Sequence, residues 1–264
     1  MPNYTDVFPN KIIIKNDILV ENIKQVNWYM YLYLIVIVIT LFIIYCYWRY
    51  FNRISNEPEI IQSDGCEDGA QDLLSEKQPV IFRDVLFDWE PICEVFELDI
   101  VDINEIRKVN STFDKVLKEY LSPFSLPFSY GWHIDINHLT RKDTYHHFVL
   151  ESKHRHMIAQ ITGEIRLYLA VPNQKEYLGP LDTNTNTNKN KNINTTINNT
   201  YSTVDFWSEK ETSKPPYNKL EYMEIILRAG NMISIPKSWW YLIQVKEDGL
   251  TMETYNKSAF SLVF

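Results

Sequence analysis

The chain has 264 residues, with 26 Lys and Arg against 34 Asp and Glu, a net charge of -8 and a pI near 5.3. That acidic balance excludes broad electrostatic attraction to nucleic acid or to anionic lipid, so no nucleic-acid partner is expected. Cys46, Cys66 and Cys93 are too few and too scattered for a disulfide framework or a zinc-ligand pattern.

Residues 1–27 form an N-terminal tail, and residues 28–48 then read as a transmembrane helix. No charged residue occurs from Gln25 to Trp48, and the run from Tyr33 to Tyr45 is nearly pure hydrocarbon. Roughly 20 helical residues cross a ~30 Å hydrocarbon layer. Trp28, Tyr29 and Tyr31 mark one edge of the run and Tyr45, Tyr47, Trp48 and Tyr50 the other, as interfacial belts do. The run is too long for a signal-peptide core, and no small-residue cleavage site follows Cys46. The lipid bilayer is therefore an expected partner, and a single-pass membrane protein the expected localisation. Arg49 and Arg53 sit closer to the helix than Lys15 and Lys24, which leans towards a cytoplasmic C-terminal domain. Sequons at Asn3, Asn110, Asn194, Asn198 and Asn256 keep the opposite sidedness open.

Residues 49–76 hold Glu57, Glu59, Asp64, Glu67, Asp68, Asp72 and Glu76 with little apolar content, the composition of a solvated acidic stalk. The folded domain is expected over 77–264, interrupted at 182–200 by a low-complexity Asn/Thr tract that reads as a disordered surface insertion. Around Asn104 to Tyr120 apolar residues recur at helical spacing, predicting one amphipathic helix. Elsewhere the pattern is mainly β. Pro79–Phe82 opens it; Met157–Thr162 and Ile165–Val171 resemble a hairpin. Tyr222–Leu227, Met232–Ile235, Trp240–Val245 and Ser258–Phe264 supply four more strands. Short strands with frequent turns predict a mainly β (α+β) jelly-roll or barrel.

Three segments in order resemble the JmjC-type cupin domain of the Fe(II)/2-oxoglutarate oxygenase superfamily. They are Lys77-Gln-Pro-Val-Ile-Phe-Arg-Asp-Val-Leu-Phe-Asp-Trp89, then His156-Met-Ile-Ala-Gln-Ile-Thr-Gly163 with Arg166–Pro172, and Leu227-Arg-Ala-Gly-Asn-Met-Ile-Ser-Ile-Pro-Lys-Ser-Trp-Trp-Tyr241. The resemblance implies a double-stranded β-helix. It also implies an iron held by two histidines and a carboxylate, with 2-oxoglutarate gripped by a lysine. Counting back from Gly163, the family's H-x-D falls on Leu150-Glu151-Ser152; its distal histidine falls on Tyr241 and its lysine on Ile165. No histidine follows His156, so the distal ligand cannot be restored by any shift of register. Tyr241 and Leu150 are expected to fill the vacated metal cavity together.

No cofactor is expected on this basis, and no catalytic or metal-binding residue is assigned. Weaker metal candidates remain. His133-Ile-Asp135 is a literal H-x-D, though about twice as far from Gly163 as the family motif, and His147, His154 and His156 cluster with Glu151 in sequence. The leading expectation is a catalytically inactive, membrane-anchored cupin-like domain that binds or scaffolds an unidentified protein partner. The alternatives are a divergent hydroxylase using Fe(II) and 2-oxoglutarate, and a structural membrane or virion component.

Overall fold

The computed structural model describes residues 10–64, 69–85, 121–127, 129–183 and 200–258. The expected helix at 104–120, most of the Asn/Thr insertion and the end of the expected strand 258–264 lie outside these residues, as do Cys66, Cys93 and four of the five sequons. The chain divides into two units, Met1–Asn52 and Arg53–Phe264.

The first unit is built on α1 (Asn10–Asn52), within which the 25-residue stretch Trp28–Asn52 contains an 18-residue run with a mean hydropathy of 2.4. It is one helix long and apolar enough to cross a membrane, and from Trp28 to Tyr45 its large side chains are exposed, Tyr33 at 70% and Phe42 at 64% among them. Thr40 is the polar interruption, and its hydroxyl donates to the Val36 carbonyl at 2.8 Å. That back-bond satisfies the hydroxyl within its own helix, as a hydrocarbon environment requires.

In the second unit the acidic segment is not a bare stalk. Ile61–Asp64 form β1, which pairs in parallel with β2 (Val80–Arg83), and Ala70–Ser75 form α2. Ala70 and Leu74 are buried in the core. The carboxylates that make this stretch look solvated are spaced so that a few apolar residues between them can still turn inward.

Ten further strands follow: β3 (Ser129–Leu139), β4 (Val149–Leu150), β5 (His156–Gln160), β6 (Glu164–Ala170), β7 (Leu181–Asp182), β8 (Tyr201–Ser202), β9 (Met223–Arg228), β10 (Met232–Ile235), β11 (Trp240–Glu247) and β12 (Gly249–Ser258), with the short α3 (Glu209–Thr212) before β9. With β1 and β2 they form two six-stranded sheets, ordered β1-β2-β10-β5-β12-β3 and β7-β8-β4-β11-β6-β9. The principal strands alternate between sheets along the chain, which is the winding of a double-stranded β-helix. This alternation corrects the expected hairpin. β5 pairs with β10 and β12, while β6 pairs with β11 and β9, so the turn between them carries the chain from one sheet to the other. Gly163 makes that crossing at φ 78°, where a Cβ would come within 2.7 Å of the Asp248 carbonyl. Only glycine fits such a backbone approach.

Strand alternation sorts the side chains into three layers. Between the sheets lie Ile81, Ile158, Ile233 and Ile235 from the first, and Ile165, Leu167, Leu169, Tyr241, Ile243 and Val245 from the second. The outer face of the first sheet packs Ile134, Ile136, Met157 and Met252 against Leu74 and Phe124. The outer face of the second packs Tyr168, Trp240 and Leu242 under Phe206 and Trp207. Edge-to-face rings 5.3 Å apart at Phe148 and Phe206 tie that cover down.

Candidate functional site

β4 and β11 pair Leu150 with Trp240 and Val149 with Tyr241. The even-numbered residues therefore face outward: Leu150 packs with Trp240 in the outer aromatic layer, and Ser152 is exposed. Val149 and Tyr241 face inward, and so does Glu151, which is buried against inward-facing His156. The expected filling of the metal position by Leu150 with Tyr241 is thus corrected. Tyr241 enters the barrel, but its companions are Tyr145, with ring centres 6.3 Å away, and His156, edge-on at 5.7 Å. Ile165 also points into the barrel and is fully buried among hydrocarbon.

His156 is the centre of an inward polar cluster. Its Nδ1 hydrogen-bonds Glu151 Oε2, and both side chains are 1% exposed. The backbone N–H of Lys153 donates to the other Glu151 oxygen at 2.7 Å. Burial alone would raise the Glu151 carboxyl, but the charge and hydrogen bond of His156, helped by Lys153, hold it below its ordinary value. On the opposite side of the ring, Nε2 has no hydrogen-bond partner and lies 3.8 Å from Glu253 Oε2. Tyr255 donates its hydroxyl to that carboxylate at 3.0 Å. Its ring centre is 4.7 Å from that of His156 and 5.9 Å from that of His133, and Lys153 Nζ lies 3.8 Å above its face. Burial, with Glu253 and Glu151 nearby, raises the Tyr255 phenol far above its usual range; burial does the same to Tyr241 and Tyr145. All three stay protonated.

β3 completes the cluster at its open edge. His133, Asp135 and Asn137 pair across to Tyr255, Glu253 and Thr251 and share their inward face. His133 Nε2 sits 2.8 Å from Asp135 Oδ2, with side chains 34% and 31% exposed. Deeper, Thr251 donates to Gln160 Oε1 at 2.8 Å.

The other histidines lie apart. His147 Nδ1 is 2.9 Å from the Val204 carbonyl and His146 Nδ1 is 3.3 Å from Asp205, both against the loop before α3. His154 is buried with its Nε2 3.2 Å from Lys237 Nζ. Of the weaker metal candidates, the structure brings together His133, Asp135 and His156, around Tyr255, and separates His147 and His154 from them. Among the described residues no three His, Cys, Asp or Glu side chains converge as a ligand set. The iron and 2-oxoglutarate that the resemblance implies do not fit the residues present. Leu150 and Ser152 face away, Tyr241 is a protonated phenol, and Ile165 offers no cation to a carboxylate.

Sequence motifs single out none of Glu253, Tyr255, Lys153 and Tyr145, and only Glu253 lies in a stretch whose pattern carries a signal. Residues 132–137 and 250–253 alternate apolar with polar at period two, the pattern of strands with one polar face.

Residues 140–261 match the family described as a cupin-like domain. Among curated proteins no sequence matches the chain. Two similar solved structures are enzymes. One is the TDP-quinovose 3,4-ketoisomerase WlaRB from Campylobacter jejuni, at 10% identity over 52% of this chain and 71% of that one, with a TM-score of 0.25. The other is the hydroquinone 1,2-dioxygenase of Sphingomonas sp. TTNP3 with 4-hydroxybenzoate bound, at 12% identity over 49% and 62%, with a TM-score of 0.27. Neither enzyme's chemistry transfers at these levels.

Proposed function

We propose that this is a membrane-anchored cupin-like protein that acts by binding, without iron-dependent turnover. The anchoring half of the reading rests on α1, whose apolar surface over Trp28–Asn52 matches the length of a bilayer span. One observation carries the other half. Beside Tyr241, where the family sets its metal, the barrel holds the Glu151–His156 pair, and that pair uses up the carboxylate and one nitrogen of the imidazole on each other.

Anaerobic titration of the full chain in lipid nanodiscs with Fe(II) and 2-oxoglutarate tests the absence of turnover. The expected result is no charge-transfer absorption band and no succinate on admitting oxygen. Saturable binding of both, with succinate formed, would overturn it in favour of a hydroxylase. Alkaline carbonate extraction tests the anchor: the chain stays with the membrane pellet, and release into the supernatant would refute insertion.

A further inference from the structure

We infer that the inward face of β3, β12 and β5, a cleft of the barrel interior that opens towards β3, binds an organic ammonium or guanidinium group, held by Glu253 and Asp135 and seated on the Tyr255 ring. This deepens the binding role proposed above and rests on it. Three carboxylates, Glu151 beyond β4 and Glu253 and Asp135 on the first sheet, face the barrel interior. Asp135 and Glu253 are direct cross-strand partners, an arrangement of like charges that destabilises a sheet unless a cation lies between or beside them. His133 Nε2 lies 2.8 Å from Asp135 Oδ2. Among the described residues, the hydrogen-bond partner of Glu253 is the neutral Tyr255 hydroxyl. Facing Glu253 is the unpartnered Nε2 of a histidine that is 1% exposed, across a gap of 3.8 Å. A donor cation entering from the β3 edge passes Asp135 at the rim and then meets the Glu253 carboxylate and the Tyr255 ring.

The chain itself displays the chemistry. The Lys153 ammonium sits 3.8 Å over the Tyr255 ring, an intramolecular occupant of a cation–π seat. Lys153 is half-buried and its flexible stem can swing out, so an external ammonium would take the place that it vacates. A divalent metal suits the cleft less well, because no three ligating side chains converge among the described residues, whereas an aromatic floor favours an organic cation. Exposure grades inward, from His133 at 34% and Asp135 at 31% through Glu253 at 13% to His156 at 1%, which gives the cleft an entrance and a closed end.

The test is calorimetric titration of the full chain in nanodiscs with n-butylammonium chloride, with butylguanidinium chloride and, at matched ionic strength, with sodium butyrate. The two cations bind saturably and butyrate does not. Glu253→Gln weakens the cations by about tenfold, the loss of one charge-assisted contact. Lys153→Met tightens them, because a built-in competitor is gone. Should Glu253→Gln unfold the domain, Asp135→Asn at the exposed rim gives the same test with a smaller loss. No saturable binding to either the wild type or Lys153→Met overturns the proposal. So does Zn(II) or Mn(II) binding that Glu253→Gln abolishes while neither organic cation binds. These outcomes leave the iron question untouched, since succinate formation is read in a separate experiment.

Discussion

The two inner walls of the barrel are unlike. The wall from β6 and β11 offers Ile165, Leu167, Leu169, Ile243 and Val245, nearly all hydrocarbon. The facing wall from β5, β12 and β3 offers His156, Gln160, Thr251, Glu253, Tyr255, His133 and Asp135 on the same side of the sheet as Ile158. The first wall is a conventional source of folding free energy, roughly 25 cal/mol per Å² of apolar area buried. The second spends part of that gain on keeping charged groups away from water. A barrel that needed only to be stable would have no use for the second wall, so its polarity is where function is to be sought.

Single changes can break this contrast, and the largest effects fall where each wall is most buried. On the polar side, Glu151→Ala strands a buried histidine and costs about 3–5 kcal/mol in denaturant unfolding, as breaking a buried pair does. The double change Glu151→Leu with His156→Leu removes both charges and costs far less. If the double variant is as unstable as the single one, the pair is holding the fold together and is not there for function. On the apolar side, Leu167→Ala costs about 2–5 kcal/mol through the cavity it leaves. Gly163→Ala, at the crossing between the walls, costs about 1–3 kcal/mol because its Cβ meets the Asp248 carbonyl and its φ is positive.

Two smaller effects depend on pH. The Glu151 carboxyl is held below its ordinary 4.5 in the folded state, so its stabilisation is complete above that value. It is lost as acid takes the pH down through the folded value, and the His156→Leu variant should lose that acid-side slope. Lys77 behaves in the alkaline range. Burial, then the Arg155, Arg53 and Lys237 charges, lowers it from 10.5 to about 7, so the unfolded chain binds the extra proton between those limits. Stability therefore climbs from neutral pH towards 10.5, and Lys77→Met flattens the climb in thermal melts. The smallest expected change is Tyr241→His. Restoring the family's distal histidine gives no gain in Fe(II) affinity, because Leu150 and Ser152 still face away.

Much of the fold was legible in the sequence, because Leu227–Tyr241 and the turn at Gly163 mark out the strands on either side of them. The winding of β5 and β6 into different sheets was not, since a short connection reads as a hairpin whether it stays in one sheet or changes. The site was legible only in outline. Counting residues from Gly163 brought the motif to within one position of the inward carboxylate, and one position on a strand is the difference between inside and outside. Pairing with Trp240 and Tyr241 decides that parity, and pairing is a long-range fact. Glu253 and Tyr255 were hidden for the same reason: nothing local in Leu250–Ser258 tells that its odd residues meet His156.

Asn256 is the one sequon among the described residues, and its amide is fully engaged. It donates to Ser129 Oγ at 2.8 Å and accepts from the Leu126 N–H at 2.9 Å, with the residue 6% exposed. A glycan on that nitrogen and the native seating of β12 against β3 are mutually exclusive. Any Asn256 found glycosylated therefore belongs to a molecule modified before β12 closed the barrel. Its occupancy, measured by mass spectrometry, would count the chains that met the glycosylation machinery before they folded.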